Sequence, residues 1–566
     1  MKKKVIPAII IIALIFITGA FYAFQLYLEH FSYSTDRKDL NQYFDITDDA
    51  DVALFLGSKY LEERARLLDG TYYMEFGAVQ KYLNSRFYYG KADEELLYTT
   101  PDAIISTKIG TNSYESTKDG AKEENYQITR VDEEGRLLVA LDYVKKYTNF
   151  SYKAFSAPNH IQLETSWDEQ TVATISSNTE LRVRGGVKSE IIEELAKGDT
   201  VVVLEEMGKW SKVMSADAFI GYVENKKLED KKTINPIPVT DYAEPEYTSL
   251  KRDHKINLGF HSISGPSGND TFSEFVSQTK SLNVISPTWL TVSDNSGAVT
   301  SYASSSYVQA AHNKGLEVWV LFRNFAGSNE ISSSEVLSHA QSRKAMIDSA
   351  VKETLNCGAD GINLDFEQIA NEDGQAFIEF VRELSIACRA NGLVFSIDNY
   401  VPMHFNDHYN LREQGIVADY VIIMGYDEHY NGSDVGSVAS IGYVENGIIS
   451  TVEKVDPSKV INALPFYTRI WQTKDGKVSS KAYPMKNAAE FISNHSIEME
   501  WDDECGQNYG EYTSDGTLYQ VWMEDKASLQ QKLTVMQANN IGGVAEWALG
   551  METSDVWDLI SAYVEG

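Results

Sequence analysis

A chain of 566 residues with 43% hydrophobic content can bury several cores, so roughly two to four domains are expected. Its 82 acidic residues outweigh 50 basic ones, for a formal charge of −32, which disfavours binding to nucleic acid or any other polyanion. Three cysteines, with no CxxC pair and no Cys/His cluster at zinc spacing, do not form a disulfide framework, and neither a metal nor a cofactor is expected.

Met1-Lys2-Lys3-Lys4 precedes an uncharged apolar run over residues 5–24. A run of that length can span a bilayer as a helix, and the lysines favour a cytoplasmic N-terminus. Residues 1–28 are therefore expected to be a cytoplasmic tip and a membrane anchor, with the remainder extracytoplasmic. Thr18-Gly19-Ala20 offers a cleavage site for the alternative, a signal peptide and a secreted protein. The apolar run continues through Phe21-Tyr22-Ala23-Phe24, which favours the uncleaved anchor.

Residues 29–168 carry a faint internal repeat. Tyr73-Met74-Glu75-Phe76-Gly77-Ala78-Val79-Gln80-Lys81-Tyr82-Leu83-Asn84 echoes Leu138-Val139-Ala140-Leu141-Asp142-Tyr143-Val144-Lys145-Lys146-Tyr147-Thr148-Asn149. Each copy predicts a strand, a short helix and an aromatic strand, Phe87-Tyr88-Tyr89 in one and Phe150-Ser151-Tyr152 in the other. The pattern weakly resembles the small α+β domain at the N-terminus of copper amine oxidases, without any copper-ligand set. A spacer or interaction role is expected. Residues 172–228 then show short strands broken by glycine, which predicts a small all-β barrel. Their order resembles a bacterial SH3-like domain, a module often attached to cell-wall enzymes. Trp210 and Tyr222 suit its core as well as a ligand face.

Residues 229–252, with Asn235-Pro236-Ile237-Pro238 and Glu244-Pro245-Glu246, read as an extended linker. From 253 to 566, strand-like stretches at 256–261, 284–291, 317–322, 361–367, 394–399, 420–426, 460–465 and 543–548 alternate with helical patterns. Eight such units predict an α/β fold, a (β/α)8 TIM barrel. Residues 471–525, rich in Tyr, Gly and Asp, predict a small β-rich insertion between the seventh and eighth strands.

Within the fourth stretch, Asn363, Asp365 and Glu367 lie two apart, with Ile362, Leu364 and Phe366 between them. In a strand the polar three share one face and the apolar three the other. A strand between two helices has both faces covered, so its carboxylates need partners or a task.

The octet Asp360-Gly361-Ile362-Asn363-Leu364-Asp365-Phe366-Glu367 resembles the DGxDxDxE signature of glycoside hydrolase family 18, with Asn363 in place of the first Asp. Met424-Gly425-Tyr426-Asp427 matches that family's M-x-Y-[DN] motif, and residues 542–550 resemble its eighth strand, with Trp547 near the end. The resemblance implies retaining, substrate-assisted cleavage of an N-acetylglucosamine-containing polysaccharide. Glu367 would be the acid; Asp365 would orient the acetamide N–H, and Tyr426 would hold its oxygen. Asp427 would contact the same sugar and Trp547 would stack on it. Met424, Tyr467 and Arg469, at strand ends, complete the expected substrate-binding set. Asn363 can hydrogen-bond Asp365 but cannot share a proton with it. The chain also resembles the peptidoglycan-lytic branch that includes spore-cortex N-acetylglucosaminidases, where Asn is common at this position. A peptidoglycan hydrolase is the leading expectation. A chitinase on chitin oligosaccharides and a non-catalytic, lectin-like wall protein are the alternatives, the last at odds with the retained Glu367.

Overall fold

The computed structural model of the protein describes residues 5–240, 242–324 and 331–566. The lysines expected at the cytoplasmic tip lie outside them. The chain divides into two compact units, one of residues 1–85, 109–113 and 123–244, the other of residues 86–108, 114–122 and 245–566.

The first unit begins with a helix, Val5–Phe31, whose segment Ile9–Phe31 has a mean hydropathy of 2.4. By length and composition it can cross a membrane. The two repeat copies follow, and their strands Thr71–Glu75 and Leu137–Ala140 pair with each other, antiparallel, inside a seven-stranded sheet. Short helices Phe76–Tyr82 and Leu141–Val144 follow those strands. A second seven-stranded sheet runs from Gln170–Ile175 to Leu228–Ile234. Its last strand takes the first residues expected in the linker: Thr233 pairs with Thr171 and Ile234 with Gln170 through the backbone. The side chains of that stretch stay exposed, so no apolar pattern announces it. Ala173, Ile175, Leu181, Val213 and Val223 of this sheet bury against Phe44 and Phe55.

In the second unit, eight parallel strands close on themselves: Ile256–His261, Val284–Pro287, Glu317–Arg323, Gly361–Asp365, Val394–Tyr400, Tyr420–Met424, Val460–Pro465 and Gly543–Trp547. The first strand pairs with both the second and the eighth, which seals the ring. Alternation sorts the side chains as the pleat requires. Leu258, Phe260, Trp319, Leu321, Ile422 and Ile461 fill the interior, while Ile362, Leu364, Phe395 and Ile397 join the layer beneath the helices. Gly358, at φ 80°, ends helix Ala340–Cys357 in the left-handed conformation and turns the chain into the fourth strand.

Three features depart from the sequence reading. The second strand is broken, with Leu290–Val292 resuming after Thr288 and Trp289. The fourth ends at Asp365, so Glu367 stands just past it. The insertion is β-rich as expected but begins earlier. Its first strand is Tyr467–Lys474, which claims Tyr467 and Arg469 from the end of the seventh barrel strand, and it contains helix Met485–Asn494.

Strands Tyr88–Gly90, Glu95–Thr99 and Ile104–Lys108 belong to the barrel unit although they precede it in sequence by well over a hundred residues. Tyr88 and Leu97 enter the apolar layer of the barrel helices. Beneath them lies a buried ionic network. Glu413 pairs at 2.8 Å with both Arg86 and Arg382, Arg382 reaches Glu379 at 3.1 Å, and Arg343 holds Glu383 at 2.9 Å.

Candidate active site

The fourth and fifth strands build the centre of the site. Their parallel register pairs Asn363 with Ser396 and Leu364 with Ile397, which sets Asp365 beside Asp398 one step further on. Asn363 is wholly buried: its Nδ2 donates to Asp398 Oδ2 at 2.6 Å, and its Oδ1 accepts from Ser396 Oγ at 2.6 Å. On the other flank, Arg323 of the third strand pairs in register with Asp365 and is anchored through its Nε on Thr291 Oγ1 at 3.2 Å.

Past the strand end, the main chain of Glu367 is held from both sides by one side chain. Asn324 Oδ1 accepts from the Glu367 N–H at 3.0 Å, and Asn324 Nδ2 donates to the Glu367 carbonyl at 2.8 Å. Gln368 follows at φ 55°, and its N–H donates to the Tyr400 hydroxyl at 3.2 Å. That hydroxyl also acts on the Glu367 carboxyl, holding its pKa down against burial. Ile369 donates to Tyr409 Oη at 3.1 Å. The backbone that carries Glu367 beyond its strand is thus held by neighbours on three other segments.

Across the barrel mouth, Met424 and Tyr426 are half-buried, and Asp427 is exposed at φ 55°. Tyr467 Oη donates to Asp427 Oδ1 at 2.6 Å, and Arg469 stands 3.6 Å from the same oxygen. Tyr426 and Tyr467 meet edge to face at 6.2 Å, and Trp547 lies 5.5 Å from Phe260 on the barrel floor.

The electrostatics follow from burial. Burial raises Asp365 above the usual carboxylate range, the Glu367 charge adds to this, and Arg323 partly opposes it. Glu367 is also raised, chiefly by burial, against the Tyr400 hydrogen bond and with help from Asp427. Asp398 is raised well above its ordinary value by burial and then by Asp365. Burial likewise holds the Tyr426 phenol neutral, with Tyr467, Asp398, Asp365 and Glu367 adding to the effect. Such a site favours the protonated form of its buried carboxyls, with Arg323 opposing that at Asp365. Among the described residues no group of three or more His, Cys, Asp or Glu is arranged to hold a metal ion.

Of the barrel residues singled out in the sequence, Asn363 and Asp365 lie in the fourth strand, Met424 and Trp547 end the sixth and eighth, and Glu367, Tyr426, Asp427, Tyr467 and Arg469 follow strand ends. Arg323, Asn324, Asp398 and Tyr400 were not singled out. For Asp398 and Tyr400 a signal existed, because Ser396-Ile397-Asp398-Asn399-Tyr400 repeats the two-residue spacing of the fourth strand.

The family description "Glycosyl hydrolases family 18" matches residues 218–552, and "Bacterial SH3 domain" matches residues 177–229. The uncharacterized glycosylase YvbX of Bacillus subtilis (strain 168) is 25% identical over 280 residues, 47% of this chain and 80% of its own length. The cortical fragment-lytic enzyme of Bacillus anthracis is 24% identical over 236 residues, 40% of this chain, and this chain spans 55% of that relative's length. Among solved structures, a chitinase from Chromobacterium violaceum ATCC 12472 aligns with a TM-score of 0.50 at 23% identity, over 55% of this chain and 99% of that one.

Proposed function

The chain belongs to glycosyl hydrolase family 18, and on that footing we propose that it is a retaining, substrate-assisted glycosidase acting on N-acetylglucosamine-containing wall polysaccharide, above all peptidoglycan. The observation that carries this is the pair Asp365 and Glu367, two residues apart, both raised, one beside Arg323 and the other fixed past the strand end. Glu367 delivers its proton to the leaving oxygen. The substrate's own acetamide oxygen attacks the anomeric carbon, as is known for this family, and a cyclic oxazolinium ion forms. Asp365 accepts the acetamide N–H and carries negative charge against the developing cation. Tyr426, kept neutral by its surroundings, donates to the acetamide oxygen. Asp427 grips the same sugar, steadied by Tyr467 and Arg469, while Trp547 and Met424 line the floor. Glu367, now a carboxylate, deprotonates the water that opens the ring.

Residues 1–28 act as a membrane anchor, 29–168 as a spacer whose segment 86–108 belongs to the barrel unit, 172–228 as the SH3-like module and 229–252 as a linker to the catalytic barrel at 253–566. An anchored, extracytoplasmic enzyme meets its own wall first, which supports peptidoglycan over chitin. A secreted form would arise by cleavage after Ala20. The cortical fragment-lytic relative supports the same substrate class.

The test compares aryl glycosides carrying 2-acetamido and 2-hydroxyl groups. The 2-hydroxyl compound lacks the attacking oxygen and should be essentially unhydrolysed, and products of the acetamido compound should first appear with retained anomeric configuration by NMR. Rapid turnover of the 2-hydroxyl compound, or inverted products, would overturn the mechanism. Release of muropeptide fragments from purified peptidoglycan, read by mass spectrometry, tests the substrate; cleavage of chitin oligosaccharides alone would replace it.

A further inference from the structure

Asp398 is 3% exposed in the barrel interior, and no step of the proposed reaction uses it. Its surroundings fix which of its oxygens does what. Ser396 Oγ donates to Asn363 Oδ1, and the Asn363 NH2 group donates to Asp398 Oδ2. That oxygen is therefore an acceptor. The other, Oδ1, is buried with no hydrogen-bond partner among the described residues.

A buried oxygen in that state is costly as a bare anion and useful as a hydroxyl that points at an acceptor. The groups that act on Asp398 are the carboxyls of Asp365 and Glu367 from the fourth strand, and it acts in turn on the Tyr426 phenol from the sixth. The Tyr400 phenol stands on its own strand beside Glu367, and Arg323, from the third strand, acts on Asp365. Register sets Asp365 immediately alongside Asp398. Two carboxyls so placed in low dielectric, with one cation near only one of them, cannot both ionise cheaply.

We propose that Asp398 and Asp365 hold a single proton between them, resting on Asp398 Oδ1, with the negative charge on Asp365 when it engages the acetamide N–H; Asp398 is then a positioning residue, a role that rests on the proposed functions of Asp365 and Glu367. The fifth strand supplies the acidic neighbour that Asn363 cannot be. Asn363 becomes the bracket that occupies Oδ2 and leaves Oδ1 for the proton. The proton is not consumed: it stays on Asp398 through the cycle, while the catalytic proton cycles on Glu367.

The experiment uses the full chain and an aryl β-glycoside of N,N′-diacetylchitobiose, with kcat and KM measured across pH and folding checked by circular dichroism. Asp398→Ala removes the donor to Asp365. Its kcat should fall roughly 10- to 100-fold with little change in KM, the weight of a hydrogen bond to a charged group. The acid limb of its profile should move to higher pH, because an unsupported Asp365 carboxylate takes up a proton sooner. Asp398→Asn keeps a neutral N–H donor in place, so it should lose clearly less and leave the acid limb where it was. If Asp398→Ala does not fold, the Asn variant still decides. A folded Asp398→Asn as inactive as Glu367→Gln means that Asp398 is needed as an anion, and the shared proton is overturned. Equal losses in the Ala and Asn variants with no shift of the limb also overturn it, leaving Asp398 as packing. Glu367→Gln, run alongside, separates the two levels: if it turns over normally, the assignment of the acid itself has failed.

Discussion

Two clusters of charge lie in the same unit and differ in how far cations offset burial. In the helix layer, Glu379, Glu383 and Glu413 meet three guanidinium groups, those of Arg86, Arg343 and Arg382. In the barrel mouth, Asp365, Glu367 and Asp398 lie together, and Arg323 acts on Asp365 alone among the three. Burial pushes Glu379, Glu413, Asp365, Glu367 and Asp398 toward the neutral form, and nearby cations oppose it to different extents. Burial is the largest influence on Glu413, yet Arg382 and Arg86 together outweigh it and leave its pKa lowered. Glu379, with Arg382 beside it, is still raised by burial. At the mouth all three remain raised. A cluster whose charges are matched holds structure; one left short of cations holds protons, and proton transfer is what a glycosidase must do.

The contrast breaks most visibly under Glu367→Gln. Turnover should fall about 10²–10⁴-fold with no loss of thermal stability, because the proposed acid serves the reaction while its raised pKa burdens the fold. Steady-state rates and a melting curve on one preparation check both halves. Glu413→Ala should do the reverse. It leaves Arg86 and Arg382 buried without their shared partner, a loss of about 3–5 kcal/mol by denaturant unfolding, while the folded fraction keeps its kcat. A mild loss would mean that the network is hydrated and not buried.

A smaller and sharper difference is in the pH dependence of stability. Glu413 has a lowered folded pKa, so its stabilisation is fully present above its unfolded pKa and disappears as pH falls through the folded value. Glu413→Gln should therefore cost most at neutral pH and progressively less in acid. Asp398 has a raised folded pKa, so it burdens the fold once pH rises past its unfolded value and not below it. Asp398→Asn should match the parent in acid and become the more stable protein toward neutral and alkaline pH. Melting temperatures across the two ranges check the signs, and parallel curves for the two variants would remove the distinction drawn between the clusters.

Much of the barrel was legible because its strands obey local rules. The first and seventh strands occupy the residues expected, 256–261 and 460–465, since apolar runs bounded by turns define them without outside help. The alternation around Asn363 and Asp365 likewise foretold that Ile362 and Leu364 share the face opposite the polar groups, and the structure gives that face to the helix layer. What stayed hidden depends on partners far away in sequence. Tyr467 and Arg469 read as the end of a barrel strand, but pairing with residues 482–484 makes them the start of an antiparallel one. Arg323 has no local mark of its place beside Asp365, because only register puts it there. The strands from 88 to 108 show no periodicity that assigns them to one core over another, and long-range packing alone decides.

That distant packing sets a timetable. Arg86 and Glu413 are 327 residues apart, yet they close one network. A ribosome adding about 5–20 residues per second needs roughly 15–65 s to travel from one to the other. Through that interval the strands around Tyr88 have no helices to lie on, and their edges are open to any other extended chain. The segment made early must wait for the segment made late. Its quality as a piece of the mature protein is therefore decided by what shields it in the meantime, and a chaperone or slow export step that covers residues 86–108 would raise the yield of active enzyme without touching a single catalytic group.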